Sequence, residues 1–154
     1  MITIDYSLKP STVLRDRTVY NVRTLDEIGL RQLGQGRLFL FDDKQRTYFV
    51  VESQVLDYAN QLVGVISEFD RGSRETFAVS PDFFSNNMRF RLDQQSREVE
   101  VYELNGGSFC LNFKYKHFKE ASHEFYKGVL EDFKIYYPEL EDNVAFRGLL
   151  SRQS

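Results

Sequence analysis

The first residues of the chain alternate between apolar and polar side chains. Ile2, Ile4 and Tyr6 fall on one face of an extended chain, and the odd-numbered residues between them are polar. This period of two predicts a half-buried strand over 2–9 that ends before Pro10. A second short strand is predicted over 18–23, TVYNVR.

Two later segments have the pattern of hairpins. RLFLF and TYFVVE, at 37–41 and 47–52, flank a polar turn and are apolar on both faces, so we expect these strands to be central or covered on both sides. MRFRL and EVEVYEL, at 88–92 and 98–104, alternate cleanly. Pairing Leu92 with Val99 would place Arg91 opposite Glu100 on the exposed face.

Two shorter strands complete the predicted set. ETFAVS, at 75–80, is closed by Pro81, and SFCLNFKYK, at 108–116, follows the turn-forming dipeptide Asn105-Gly106. With the second hairpin they predict a four-strand meander, because the connections are short and carry turn residues.

Three segments change to the period of a helix. A short helix is predicted over 25–33, where Thr24 and Glu27 have the spacing of a capping box, and a longer one over 53–69, with Ser53 as its cap. The last and longest runs from Phe118 to Tyr137 and ends at Pro138. One face of it carries an apolar stripe: Phe118, Ala121, Phe125, Val129, Phe133 and Tyr136.

This order of elements predicts an α+β fold, in which an antiparallel, meander-type sheet is packed by an internal helix and a long C-terminal helix. A chain of 154 residues is the size of a single domain. We expect residues 1–137 to form the core. The tail, 138–154, carries an apolar cluster around Phe146 and Leu149 that is expected to dock back onto it.

Composition narrows the class of protein. The chain is 42% hydrophobic and 28% charged, which is typical of a globular domain. It has one cysteine, no signal-peptide pattern at its start and no apolar run of bilayer length. We therefore expect a cytoplasmic protein that has no membrane partner.

The distribution of charge suggests a partner. The net charge of −3 argues against a nucleic-acid binder, which would carry a basic surplus. Between Phe118 and Asp142, however, seven acids outnumber three lysines. A solvated helix face is the ordinary explanation of such a bias. The functional interpretation is an anionic surface that holds a basic partner through five candidate residues: Glu131, Asp132, Glu139, Glu141 and Asp142.

Cys110 and His117 are the first candidates for catalysis, as a nucleophile and its base. If the strand stays regular, His117 lies seven residues from Cys110, on the opposite face and roughly 23 Å away. A catalytic pair must be within hydrogen-bond distance, so this pair is not expected to react. Only His123, on the following helix, could still reach the thiol. We favour an ordinary packed cysteine.

Other chemical motifs are incomplete. His123-Glu124 begins like a zinc-protease motif, but Lys127 stands where the second histidine should be. His117, Glu120 and His123 recur every third residue, which would turn them only partly toward one face of a helix. GQGRLF lacks the later glycine of a dinucleotide fingerprint, and Asp42-Asp43 suits a turn. Lysines alternate with aromatic residues in NFKYKHFK, so on a strand they face the opposite side from the rings. A platform for single-stranded nucleic acid would need both on the same side. We therefore predict no enzyme, no cofactor and no metal.

The hairpin MRFRLDQQSREVEVYEL, the strand SFCLNFKYK and the helix FKEASHEFYKGVLEDF together resemble, in their organisation, the bacterial immunity proteins of toxin–immunity systems. These segments cover about half of the chain. The resemblance implies a cytoplasmic protein that binds a cognate protein toxin, often a basic nuclease, and blocks its active site.

Two other functions stay open at this stage. The abundance of tyrosine suits a small-ligand pocket between sheet and helix, where hydroxyls would bond a ligand in an apolar cleft. An interaction module with a structural or phage-related partner is the other alternative, and the sequence does not separate it from an immunity protein.

Overall fold

The computed structural model describes residues 2–44, 47–79, 88–103 and 110–151, with the side chains of 47–49, 103 and 110 outside this description. Seven strands and five α-helices are distributed along these ranges. They run in the order β1 (Ile2–Ser7), α1 (Pro10–Val19), α2 (Glu27–Leu30), β2 (Gln35–Asp42), β3 (Thr47–Gln54), α3 (Val55–Asp70), β4 (Thr76–Ala78), β5 (Met88–Asp93), β6 (Glu98–Glu103), β7 (Cys110–Lys114), α4 (Tyr115–Tyr136) and α5 (Val144–Ser151). The α+β class predicted from the sequence is confirmed.

The strands form two antiparallel sheets. The first has the order β1-β2-β3 and the second is the meander β4-β5-β6-β7. In the second sheet Leu92 pairs with Val99 and Arg91 with Glu100, as predicted, and the Arg91 guanidinium lies 2.9 Å from the Glu100 carboxylate. In the first sheet β2 is central, but among the described strands β3 lies at an edge and its Val50 is 39% exposed, so the expectation that both arms are central or covered on both sides is wrong for β3.

Helix α4 joins the two sheets. It packs beside α3 and contacts β1 of the first sheet as well as β6 and β7 of the second. The predicted stripe is buried at four positions, Phe118, Phe125, Val129 and Phe133, while Tyr136 at its end is exposed. Phe118 also stacks at a tilt on Phe90 of β5, with ring centroids 5.5 Å apart. The core is therefore continuous across both sheets.

Residues 18–23 do not form the predicted strand. Pro10, read in the sequence as the end of β1, occupies the first turn of α1, where its missing N–H costs nothing. Of the residues predicted as a strand, 18–19 form the end of α1, and a 3₁₀ turn follows at Val22–Thr24. The only buried side chain of α1 is that of Asp16, and Leu14 is 67% exposed, so this helix has no apolar stripe that a pattern search could detect.

Two predicted helix starts are also corrected. The short helix is a single turn whose cap is Asp26, which accepts the N–H of Gly29 at 2.7 Å, rather than Thr24. Helix α3 has Gln54 at its N-cap position, and the buried hydroxyl of Ser53 has no hydrogen-bond partner among the described residues. Both helices overlap the ranges predicted for them, but neither uses the predicted cap.

The predicted last strand, 108–116, is also shorter than expected. β7 ends at Lys114 and α4 begins at Tyr115, whose N–H donates to the carbonyl of Arg97. The guanidinium of Arg97 lies over the Tyr115 ring, 5.1 Å from its centroid. His117 is therefore on a helix, and the distance deduced from a regular strand does not apply. The predicted turn at Asn105-Gly106 lies outside the described residues.

The tail packs against the rest of the chain. Phe146 and Leu149 of α5 are buried, and the buried amide of Asn143 donates to the carbonyls of Val22 and Leu25. Its side-chain oxygen accepts the N–H of Phe146. Asn143 therefore both caps α5 and fixes the tail to the loop after α1.

A buried carboxylate connects three distant segments. Asp16 of α1 is 2% exposed and accepts the N–H of Gly34 at 2.9 Å and the hydroxyl of Tyr137 at 2.6 Å. Gly34 has φ of +73°, and a Cβ there would lie 2.5 Å from the ring of Phe133, so this position requires glycine. Burial and the Asp16 carboxylate raise the pKa of Tyr137 far above its usual range.

We predict that Asp16→Ala lowers the free energy of unfolding by about 3 kcal/mol, because it leaves two buried donors without an acceptor. Urea denaturation measures this change. Asp142→Ala is the control: Asp142 makes an exposed ion pair with Arg23, and we expect less than about 1 kcal/mol. Equal losses for the two variants would contradict the structural role of Asp16.

Candidate functional site

A groove of about 710 Å³ runs between helix α4 and strand β1 and is open to solvent. One wall is a single face of α4, because its residues recur at spacings of three and four. They are His117, Glu120, Ala121, Glu124, Phe125, Gly128, Val129 and Asp132. The wall extends over four turns of helix, about 22 Å.

The opposite wall is β1, and all five residues from Ile2 to Tyr6 contribute to it. Side chains of a strand alternate between its two faces, so a surface that meets five consecutive residues must include the edge of the strand. β1 is an edge strand: within the described ranges it pairs with β2 and with no other strand. The groove therefore lies along an unpaired sheet edge.

The floor of the groove is apolar and its rim is acidic. Phe125 and Val129 are buried beneath it, and a Cβ built on Gly128 would meet no atom of the surrounding residues within 4 Å, so the groove is open there. Four carboxylates line the groove, those of Asp5, Glu120, Glu124 and Asp132. We call these four residues the groove acids. Lys44 and His117 are the basic side chains of the same lining.

One hydrogen bond fixes the two walls to each other. The hydroxyl of Tyr6 donates to the carboxylate of Asp132 at 2.6 Å, and the Tyr6 ring packs edge-on against Phe125, with centroids 6.1 Å apart. Burial, and then the bond to Asp132, raise the pKa of Tyr6 well above its ordinary value of 10.0. Tyr6 is therefore a neutral donor throughout the physiological range.

The N-terminal end of α4 is held by a second tyrosine. Tyr115 donates its hydroxyl to Asp70 of α3 at 2.5 Å, and Lys119 pairs with the same carboxylate at 2.7 Å. The bond from Lys119, with that from Tyr115, holds the pKa of Asp70 below its usual value. This cluster joins α3 to α4 and is satisfied within the chain, so we assign it a structural role.

The five acids predicted to bind a partner separate in the structure. Asp132 lines the groove, whereas Glu139 pairs with Arg17 at 2.6 Å and Asp142 with Arg23 at 3.4 Å. The bond from Arg17 lowers the pKa of Glu139. Glu131 and Glu141 are exposed and lie outside the groove lining. The structure thus brings one predicted residue together with three acids that sequence analysis did not select.

The residues that sequence analysis considered for catalysis or metal binding lie at different places relative to the groove. His117 and Glu120 share the groove, but His123 is not part of its lining. The side chain of Cys110 lies outside the described residues, so its suggested approach to His123 stays untested. Within the ranges that the structure describes, no three histidine, cysteine, aspartate or glutamate side chains form a group that could hold a metal ion.

The sequence contains a pattern that could have indicated three of the groove acids. Glu120, Glu124 and Asp132 belong to one row at a spacing of four, interrupted at Gly128. Such a row on a helix is usually solvated, and only the position of β1 beside α4 turns it into the wall of a groove. Asp5 gave no signal, because it is the polar member of an alternating strand.

Comparisons of the chain with protein-family models, with curated proteins and with solved structures found no match. In the described part of the chain, no helix is both long enough and apolar enough to cross a bilayer.

The state of Tyr6 can be measured by titration. In the folded protein at about pH 10.5, Tyr6→Phe should leave the absorbance of tyrosinate unchanged, because Tyr6 is not ionised there. In the unfolded protein at the same pH, the substitution should lower the tyrosinate absorbance by about one ninth, because the chain has nine tyrosines. A loss of that size in the folded protein would show that the bond to Asp132 does not form in solution.

Proposed function

We propose that this chain is a protein-binding module that holds a basic partner in the groove between β1 and α4. The observation that carries the proposal is the combination of an open apolar floor with four carboxylates along its rim. Apolar floors supply affinity by desolvation, and a rim of one sign steers and orients a partner of the opposite sign.

Charge supports this groove over the tail as the binding surface. Two of the tail acids, Glu139 and Asp142, are already paired with arginines of the same chain. In the groove, the described part of the lining has two basic residues, Lys44 and His117, against four acids. A basic partner would meet a net negative surface here and a partly compensated one at the tail.

The resemblance to immunity proteins makes a cognate toxin the first partner to test. A toxin that is a basic nuclease would offer the complementary charge, because its own substrate is a polyanion. We propose that binding at the groove neutralises such a toxin by direct contact. The product of the gene beside this one is the partner to express first.

The test compares two sets of four amide substitutions that change the charge equally. The groove set is Asp5→Asn, Glu120→Gln, Glu124→Gln and Asp132→Asn. The tail set is Glu131→Gln, Glu139→Gln, Glu141→Gln and Asp142→Asn. We expect the groove set to weaken the complex about 100-fold, and the tail set less than about threefold.

Isothermal titration at two salt concentrations measures both effects, since the native complex should weaken as salt rises and the groove-set complex should respond less. Urea denaturation of each variant confirms that it is folded. The proposal fails if the groove set binds as tightly as the native chain, or if the tail set alone abolishes binding.

The same groove favours a second candidate function, the binding of a small cationic amphiphile. Its volume of about 710 Å³ is within the usual range of ligand pockets, about 300–1,000 Å³. Gly128→Phe would fill the open space, whereas Gly128→Ala would leave the groove open and stabilise α4 by up to about 1 kcal/mol. We expect Gly128→Phe, but not Gly128→Ala, to abolish binding of dodecyltrimethylammonium in a titration. Failure of the native chain to bind this probe excludes the second candidate.

A further inference from the structure

The outer edge of β1 offers backbone groups to the groove. The carbonyl oxygen of Ser7 lies 2.4 Å from where a Cβ of Gly36 would be, so the polar backbone groups of Ser7 face β2. In an antiparallel ladder the N–H and C=O of successive residues alternate between the two sides. Those of Ile2, Ile4 and Tyr6 must therefore face outward.

One of these outward groups already has a partner. The N–H of Tyr6 donates to the carboxylate of Asp5 at 2.8 Å, as expected if it does not face β2. The outward N–H and carbonyl of Ile4 lie two residues away, in the middle of the strand. A carboxylate on an edge strand is a common device against uncontrolled pairing. Because Asp5 occupies the N–H of Tyr6, Ile4 is the central residue through which a further strand can pair with β1.

The spacing of the groove acids on α4 suits an extended chain. Glu120 and Glu124 are about 6 Å apart along the helix axis, and Gly128 and Asp132 follow at about 12 and 18 Å. Alternate residues of a strand are about 6.6 Å apart. A strand that lies beside β1 and runs in the direction of α4 would thus bring four alternate side chains, in turn, to Glu120, Glu124, the open space at Gly128, and Asp132.

The chemistry of these positions specifies the side chains. Lysine or arginine would place its alkyl stem on Phe125 and Val129 and its charge at a carboxylate. The open space at Gly128 would take a larger apolar side chain. Alternate residues of the strand, which point away from α4, would be free to vary.

We propose that the groove binds an extended segment of its partner as an additional strand on β1, with basic residues at the first, third and seventh positions and an apolar residue at the fifth. This inference rests on the proposed function, because it specifies how the basic partner occupies the same groove. The backbone bonds to Ile2 and Ile4 supply affinity, and the groove acids select the basic side chains.

A heptapeptide tests the proposal without knowledge of the partner. It carries lysine at positions one, three and seven, valine at five and threonine at the even positions. Two N-methylated versions are compared, one blocked at the three even amides and one at the odd amides from three to seven. Strand addition predicts that one version loses at least about tenfold in affinity and the other changes less than about threefold, because only one set of N–H groups can face β1.

The protein side of the pairing is tested by Ile4→Pro, which removes the outward N–H. Proline is tolerated on an edge strand where its nitrogen faces away from the neighbour, so we expect the variant to fold and to lose peptide binding. Ile4→Ala controls for the lost side chain and should retain most of the binding. If Ile4→Pro does not fold, the N-methylated pair decides alone.

The outcomes separate this inference from the proposed function. Equal effects of the two N-methylated peptides would overturn strand addition, while a loss of affinity with the groove set would still support a basic partner in the groove. Absence of peptide binding, together with full partner affinity of the groove set, would overturn both. Self-association of the chain that Ile4→Pro abolishes would mean that β1 pairs with a second copy, and would also overturn the inference.

Discussion

The long helix α4 is held near both ends by tyrosine hydroxyls that donate to aspartates on other elements. Tyr115 at its start bonds Asp70 of α3, and Tyr137 just beyond its end bonds the buried Asp16 of α1. Between these points Tyr6 of β1 bonds Asp132. Together these bonds join α4 and its end to α3, α1 and β1, and they hold α4 beside β1 along the groove.

This arrangement explains why the acids of the C-terminal third have different roles. Glu139 and Asp142 pair with arginines of α1 and of the 3₁₀ turn that follows it, so their charges are partly compensated within the chain. Glu120, Glu124 and Asp132 line a groove whose opposite wall is the edge of β1, which pairs with β2 alone among the strands that the structure describes. An edge beside an acidic helix suits recognition of a basic chain, because backbone pairing and side-chain charge act at the same place.

Sequence analysis succeeded where the relevant information is local. The period of two in β5 and β6 predicted the pairing of Leu92 with Val99, and the period of 3.6 predicted the buried face of α4. It failed at α1, because a helix that buries only Asp16 has no apolar period. A pocket between sheet and helix was one alternative from the sequence, but its location could not be predicted, since it depends on β1 and α4 lying side by side although more than a hundred residues separate them.

Hydrogen exchange of the protein in complex with its partner tests the central claim most directly. The account predicts that amides of 2–6 exchange more slowly in the complex, that the outward N–H of Ile4 is the most strongly affected, and that 138–151 change little. Protection confined to 138–151, with β1 exchanging as in the free protein, would contradict it.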